Sequence, residues 1–352
     1  MALCLLALAA LLGAAAAKPV TISNVVPRRD TDGAVLDAHD SKLLLHNGLF
    51  YWWAASYGNC TEPAGNSGCA DVSVGACGFQ TDHNVTLYTS LDLATWTNAG
   101  VVFGASGNLP PNSVLFAPKT VYNPTTKLFV MYFNYIVNTF SNSFYGVATS
   151  PRAEGPFTVA NKDIALRYQD NGDENLLVDD DGTAYLIYTT LSHNHGMSIE
   201  RLAPDYLTSL GATDPAQSSG IFGDDNVEAP AVFKRAGVYY AVFGSCCCYC
   251  GSGSVVSVYT AASALGPYTK RSVLAAPAPA AGAAAFGSQQ TDIFSYTDSS
   301  GAAQFLYVGD HWQSAPDRLK SHDFTVWAPL SFTADGNVTT QGFQSEFVID
   351  VA

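Results

Sequence analysis

The sequence predicts an all-β chain folded as a five-bladed β-propeller, with four-stranded antiparallel blades around a central channel. Three observations predict it. A turn residue followed by an aromatic-rich strand recurs five times along the chain. Short phrases of similar wording close several of these units, and apolar residues nowhere keep a long helical period. Self-similarity at this spacing is the signature of radially repeated four-stranded units.

In chain order the copies are Asn47-Gly48-Leu49-Phe50-Tyr51-Trp52-Trp53, Thr126-Lys127-Leu128-Phe129-Val130-Met131-Tyr132, and Gly182-Thr183-Ala184-Tyr185-Leu186-Ile187-Tyr188. Gly237-Val238-Tyr239-Tyr240-Ala241-Val242-Phe243 and Ala303-Gln304-Phe305-Leu306-Tyr307-Val308-Gly309 complete the set. Each follows another short apolar run, which makes a hairpin. In the third, Leu176 to Val178 run out and Thr183 to Thr189 return. Asp179 to Gly182 make the turn, because Asp tolerates left-handed geometry and Gly has no Cβ to clash. Leu91-Asp92-Leu93-Ala94-Thr95-Trp96, Gly155-Pro156-Phe157-Thr158 and Gly266-Pro267-Tyr268-Thr269 are the closing phrases. The Ala/Pro-rich stretch from Leu274 to Ala285 reads as a loop, because a blade follows it.

Apolar residues make up 48% and charged ones 13%, ample material for a folded core. A formal charge of −14 argues against nucleic acid or an anionic membrane as partner and leaves uncharged sugars open. Met1 to Ala17 is uncharged, Leu/Ala-rich and ends in three alanines, the pattern of a secretory signal peptide. The expectation is a secreted, monomeric protein, with a signal peptide at 1–17 and one propeller domain at 18–352. Sequons at Asn59, Asn84 and Asn337 fit that route. Cys60, Cys69, Cys77 and the Cys246-Cys247-Cys248-Tyr249-Cys250 cluster then read as loop-stapling disulfides, since the paired CxxC spacing of zinc sites is missing.

A blade begins with its innermost strand, so residues entering that strand line the channel. Asp40, Asp173 and Glu228 stand ten, twelve and eleven residues before Phe50, Tyr185 and Tyr239. Three carboxylates at equivalent blade positions would converge on one pocket. A lone Asp there is ordinarily a turn residue, but Glu228 has better turn formers beside it in Asp225 and Asn226. Glycoside hydrolysis needs a protonated carboxyl for the leaving oxygen and an ionised one for water, and a third nearby can tune the acid.

With these motifs the chain resembles glycoside hydrolase family 43, five-bladed propellers that cleave arabinose-, xylose- and galactose-containing polymers with inversion. The matching motifs are Asp40 before the first hairpin, Asp173 before Asp179-Asp180-Asp181-Gly182, and Glu228-Ala229-Pro230 before Tyr239-Tyr240. The resemblance implies that Asp40 is the general base, Asp173 the pKa modulator and Glu228 the general acid. Ala38-His39, Ala117-Pro118-Lys119-Thr120-Val121-Tyr122-Asn123, Ser288-Gln289 and Tyr307-Val308-Gly309-Asp310-His311-Trp312 are similar to the exo-β-1,3-galactanase branch. That branch typically has Gly where Asp40 stands and Glu where Phe116 stands, and uses Gln or Glu in place of the usual base.

Gln289 resembles the blade-five position where many members carry a channel His that helps hold a metal ion or water. His39 is a candidate for contact with sugar hydroxyls, or for packing beside the channel. Trp312, more than Trp53, is the candidate for stacking on a sugar ring. Asp179 to Asp181 lack the alternating spacing of a calcium loop and read as a solvated turn. No cofactor is required on this reading; a structural calcium in the channel stays open and is not predicted. The competitors are an arabinosidase or xylosidase of the same family, a catalytically silent carbohydrate-binding propeller, and an enzyme in which Gln289 rather than Asp40 orients the water.

Overall fold

The computed structural model describes residues 19–62, 77, 79–81, 83–245, 253–274 and 285–351. The expected signal peptide, Cys69, the Cys246 to Cys250 cluster and most of the Ala/Pro-rich stretch lie outside the described residues. Among the described residues there are strands and two short 3₁₀ turns, and no α-helix. After β1 (Val20–Ser23), blade one is β2 (His39–His46), β3 (Leu49–Ser56), β4 (Asn84–Ser90) and β5 (Thr97–Gly104). Blade two is β6 (Ser113–Asn123), β7 (Leu128–Val137), β8 (Thr139–Ser150) and β9 (Thr158–Asn161). Blade three is β10 (Asn171–Val178), β11 (Ala184–Thr190), β12 (Gly196–Arg201) and β13 (Ser218–Phe222). Blade four is β14 (Val227–Arg235), β15 (Val238–Ser245), β16 (Val256–Ala261) and β17 (Thr269–Leu274). Blade five is β18 (Gln289–Thr297), β19 (Ala303–His311), β20 (Phe324–Phe332) and β21 (Val338–Thr340). Every blade is an antiparallel meander, and β22 (Glu346–Ile349) pairs back onto β1. The fold is the five-bladed propeller that the repeats predict.

Two-residue turns start several blades. Asn47 and Gly48 both have positive φ, as do Ala236 and Gly237, the left-handed pair that a tight hairpin between twisted strands requires. The aromatic second strands are apolar throughout because both of their faces are buried. Successive side chains point to opposite faces of a strand. Trp52 therefore packs toward blade five with Trp96 and Trp327, while Trp53 packs toward blade two with Leu115 and Met131. Leu186 and Ile187 divide in the same way between the interfaces with blades two and four. Each of these two side chains contributes about 1.5–3 kcal/mol by burial. The core is thus five slabs between blades, with no common centre. The centre is a channel ringed by β2, β6, β10, β14 and β18, each touching the next.

All five inner strands carry a β-bulge at the same depth. The pairing with the second strand shifts between His39 and Lys42, Phe116 and Lys119, Asn171 and Glu174, Glu228 and Ala231, and Gln290 and Asp292. An extra residue there breaks the ladder and re-aims side chains, as bulges beside functional sites do. Asp40, Ala117 and Ala229, the first inserted residues of three blades, have φ of 50°, 46° and 53°.

Candidate active site

The bulges build the site, and they correct the reading that the three acids stand at equivalent positions just before their strands. All three lie inside strands, at three successive steps of the bulge. Glu228 is the last paired residue before it, Asp40 is the first inserted residue, and Asp173 is the second. A bulge turns consecutive positions toward one side of the sheet, so residues offset in register still converge. Together with Tyr57, Phe79, Phe116, Asn134, Ile136, Ser143, Leu191 and Gln289 they line one cavity of about 240 Å³.

Asp40 is held from three sides. Its backbone N–H donates to Asp310 Oδ2 at 2.8 Å, its carbonyl accepts from Lys119 Nζ at 3.1 Å, and Tyr57 OH donates to its Oδ2 at 3.1 Å. Burial and the charge of Asp310 push its carboxyl up to about 6, against the pull of Lys119, His39 and Tyr57. Burial also raises Asp173 well above the usual carboxylate range, reinforced by the charges of Glu228 and Asp40. Gln289 Nε2 bridges the pair, 3.5 Å from Asp173 Oδ2 and 3.4 Å from Glu228 Oε1. Such an arrangement keeps a proton on closely spaced carboxyls while leaving one free to ionise.

The structure places His39 and Trp312 behind the wall. His39 is fully buried, its ring nitrogens 3.7 and 3.6 Å from Asp37 and Asp310, and its ring packed on Tyr57 and Trp312. Trp312 is 1% exposed and Trp53 fully buried, so none of the three offers a face to a sugar. Trp312 instead donates its indole N–H to Gln289 Oε1 at 2.6 Å.

One step deeper, the residues after four of the five bulges form a layer of titratable side chains, Lys42, Lys119, Glu174 and Asp292, with Ala231 in the blade-four place. Lys119 Nζ donates to the carbonyls of Asp40, Ser41 and Thr291, and Lys42 Nζ to Asn175 Oδ1 and Asp292 Oδ1. Glu174 is 1% exposed and neither carboxyl oxygen has a hydrogen-bond partner among the described residues. Burial keeps its proton on well above the usual range. Sequence reasoning gave no role to Lys42, Glu174, Asp292 or Tyr57, and met Lys119 and Asp310 only inside the motifs of the resemblance; the available signal, clearest at Lys119, was a charged residue within an otherwise apolar run. Among the described residues no group of three His, Cys, Asp or Glu side chains is placed to hold a metal ion. Asp179 and Asp180 are met by Lys234 at 2.7 and 2.8 Å, which already supplies a cation to that turn. Cys60 and Cys77 form a disulfide beside the cavity.

The sequence profile of Glycosyl hydrolases family 43 matches residues 37–337, most of the chain and all of the residues above. The chain belongs to this family. It is a glycosidase, and the cavity is its candidate active site. Among solved structures, an exo-β-1,3-galactanase from Clostridium thermocellum is similar at 24% identity and TM-score 0.75, over 94% of this chain and 67% of that one. An exo-β-1,3-galactanase from Phanerochaete chrysosporium, solved with galactose, is similar at 23% identity and TM-score 0.73, over 94% and 69%. A family 43 β-1,3-galactosidase solved with galactodeoxynojirimycin is similar at 22% identity and TM-score 0.73, over 91% and 98%. No curated relative matches the chain by sequence.

Proposed function

We propose that this family 43 glycosidase is secreted and removes galactose from β-1,3-linked galactan or arabinogalactan chains with inversion. The observation that carries the reading is the shared cavity, in which Asp40, Asp173 and Glu228 meet beside an apolar wall of Phe79, Phe116, Ile136 and Leu191. Its volume suits a single sugar ring, as an enzyme working from a chain end needs. Three similar structures are galactanases or galactosidases, and another was solved with β-1,3-galactotriose. The signal-like start and the Cys60–Cys77 disulfide support an oxidising, extracellular setting.

Glu228 protonates the glycosidic oxygen as the bond breaks. Asp40 takes a proton from the water that attacks the opposite face of the anomeric carbon, and Asp173 tunes Glu228. Gln289 is the weaker candidate for the base, because its oxygen already accepts from Trp312 and its NH₂ group faces the acids. The test is sugar release by the mature chain from β-1,3-galactan, arabinogalactan, arabinan and xylan, with the first-formed anomer followed by proton NMR. Release of α-galactose from the galactans, lost in Glu228→Gln, is the expected result. Release from xylan or arabinan alone, β-galactose formed first, or binding without release would overturn it.

A further inference from the structure

The geometry points to Lys320 as a positioning residue for this reaction: through Trp312 it fixes the direction of the Gln289 amide, so that the NH₂ group faces Glu228 and Asp173. The inference rests on the proposed roles of those two acids. An indole N–H can only donate. The amide atom 2.6 Å from Trp312 Nε1 is therefore the oxygen, and the nitrogen must be the atom turned to the carboxyls. Rotating the amide by half a turn would set donor against donor at Trp312 and lone pairs against two carboxyls. Trp312 thus decides whether the acid pair meets a donor or an acceptor.

Trp312 is in turn held by a cation. Lys320 Nζ lies 3.7 Å from the centroid of its ring, a cation–π contact inside the protein. A positive charge over the ring draws density from the indole and makes its N–H a better donor. Lys320 has no exposed surface and is held by Glu62 Oε1 at 2.9 Å and Asp323 Oδ2 at 3.5 Å. Packing alone does not explain a buried ammonium, because an apolar side chain of similar length commonly replaces a buried ion pair at no loss. The same segment latches the loop that carries Tyr57: Lys320 N donates to Cys60 O at 3.0 Å and Glu62 N to Arg318 O at 2.9 Å. The ammonium itself lies 5.2 Å from the centroid of the Tyr57 ring, so it touches both partners of the acid cluster, Tyr57 on Asp40 and Trp312 on Gln289.

A donor on the acid pair favours its ionised form, so removing it holds the proton to higher pH. Asp40, Lys119 and Glu174 also face the pair and are unchanged in the variants. In Trp312→Phe, kcat on β-1,3-galactan is expected to fall about tenfold to a hundredfold with KM within about twofold. The basic limb of its pH–rate profile is expected to move to higher pH. Lys320→Met should shift that limb the same way by less, and Lys320→Arg should restore it. A rise in KM alone, or an unmoved basic limb in variants that keep the parent melting temperature, overturns the inference.

A readout independent of activity separates this from failure of the substrate assignment. In ¹⁵N-Trp-labelled protein the Trp312 indole proton, identified by its loss in Trp312→Phe, is expected far downfield and protected from exchange. It should move upfield in both Gln289→Met and Lys320→Met. No movement in either overturns the inference even if galactan is cleaved, and movement in both upholds it even if another glycan is the substrate.

Discussion

The two mouths of the channel differ in a way that cavity size does not reveal. The exit mouth is the roomier, about 560 Å³ against about 240 Å³ at the entrance. At the exit every prominent carboxylate is met by an ammonium: Asp179 and Asp180 by Lys234, Asp292 by Lys42. At the entrance no Lys or Arg among the described residues reaches the carboxylate oxygens of Asp40, Asp173 or Glu228. The nearest ammonium, on Lys119, spends its donors on three backbone carbonyls. Burying like charges without counterions costs stability, and proteins retain that cost where chemistry needs it. Carboxyls without an ammonium partner, rather than volume, single out the candidate active site.

Substitutions at the two ends should therefore diverge. The largest effect is expected for Glu228→Gln, which should lower kcat by roughly 10²–10⁴-fold while leaving the melting temperature close to the parent's. An active Glu228→Gln enzyme would erase the contrast. Asp40→Asn follows, with a loss of similar order on galactan. With Asp40 pushed up to about 6, parent kcat/KM should rise as pH rises through about 6, and the variant should lack that limb.

The same group carries a stability signature of opposite sense. Folded Asp40 holds its proton more tightly than an unfolded carboxyl near 3.9, so its favourable contribution is complete below about pH 4 and lost as pH rises through about 6. Asp40→Asn should melt higher than the parent at pH 7 and not at pH 4, by calorimetry at both values. Glu174→Gln should show the same pattern, a gain of ~2–4 °C at pH 7 that vanishes in acid, because its carboxyl is buried without a hydrogen-bond partner among the described residues. Smallest of all is Lys234→Met at the exit, where galactan turnover within about twofold of the parent is expected. A tenfold loss there would mean that the far mouth takes part.

The blades were legible in the sequence because the second strands are apolar on both faces, and only stacked sheets bury Trp52 and Trp53 in opposite directions. The acids were legible as candidates because Asp40, Asp173 and Glu228 recur at like distances before the aromatic strands of three blades, and because Asp225 and Asn226 leave Glu228 no turn to make. Their register was not, since a bulge is one extra residue in a pairing and leaves no mark in the order of residues. For the same reason Lys42, Lys119, Glu174 and Asp292, which the bulges place in one layer, lie scattered along the sequence. Trp312 was assigned to the sugar because an aromatic near the channel reads alike whether it faces the lumen or the blade behind it.

The clasp of β1 on β22 lies over the seam between blades one and five, where Ile22, Phe347 and Ile349 pack with Trp52, Trp96 and Trp327. Across that seam Asp40 of blade one receives its support from Asp310 of blade five, and Gln289 reaches from blade five to the acids of blades three and four. The ring thus fastens its two chain ends at the joint that its chemistry straddles. A chain shortened before β22 should lose turnover at temperatures where blades two to four remain folded, so that the clasp is as much a part of the catalyst as the acids it keeps in reach of one another.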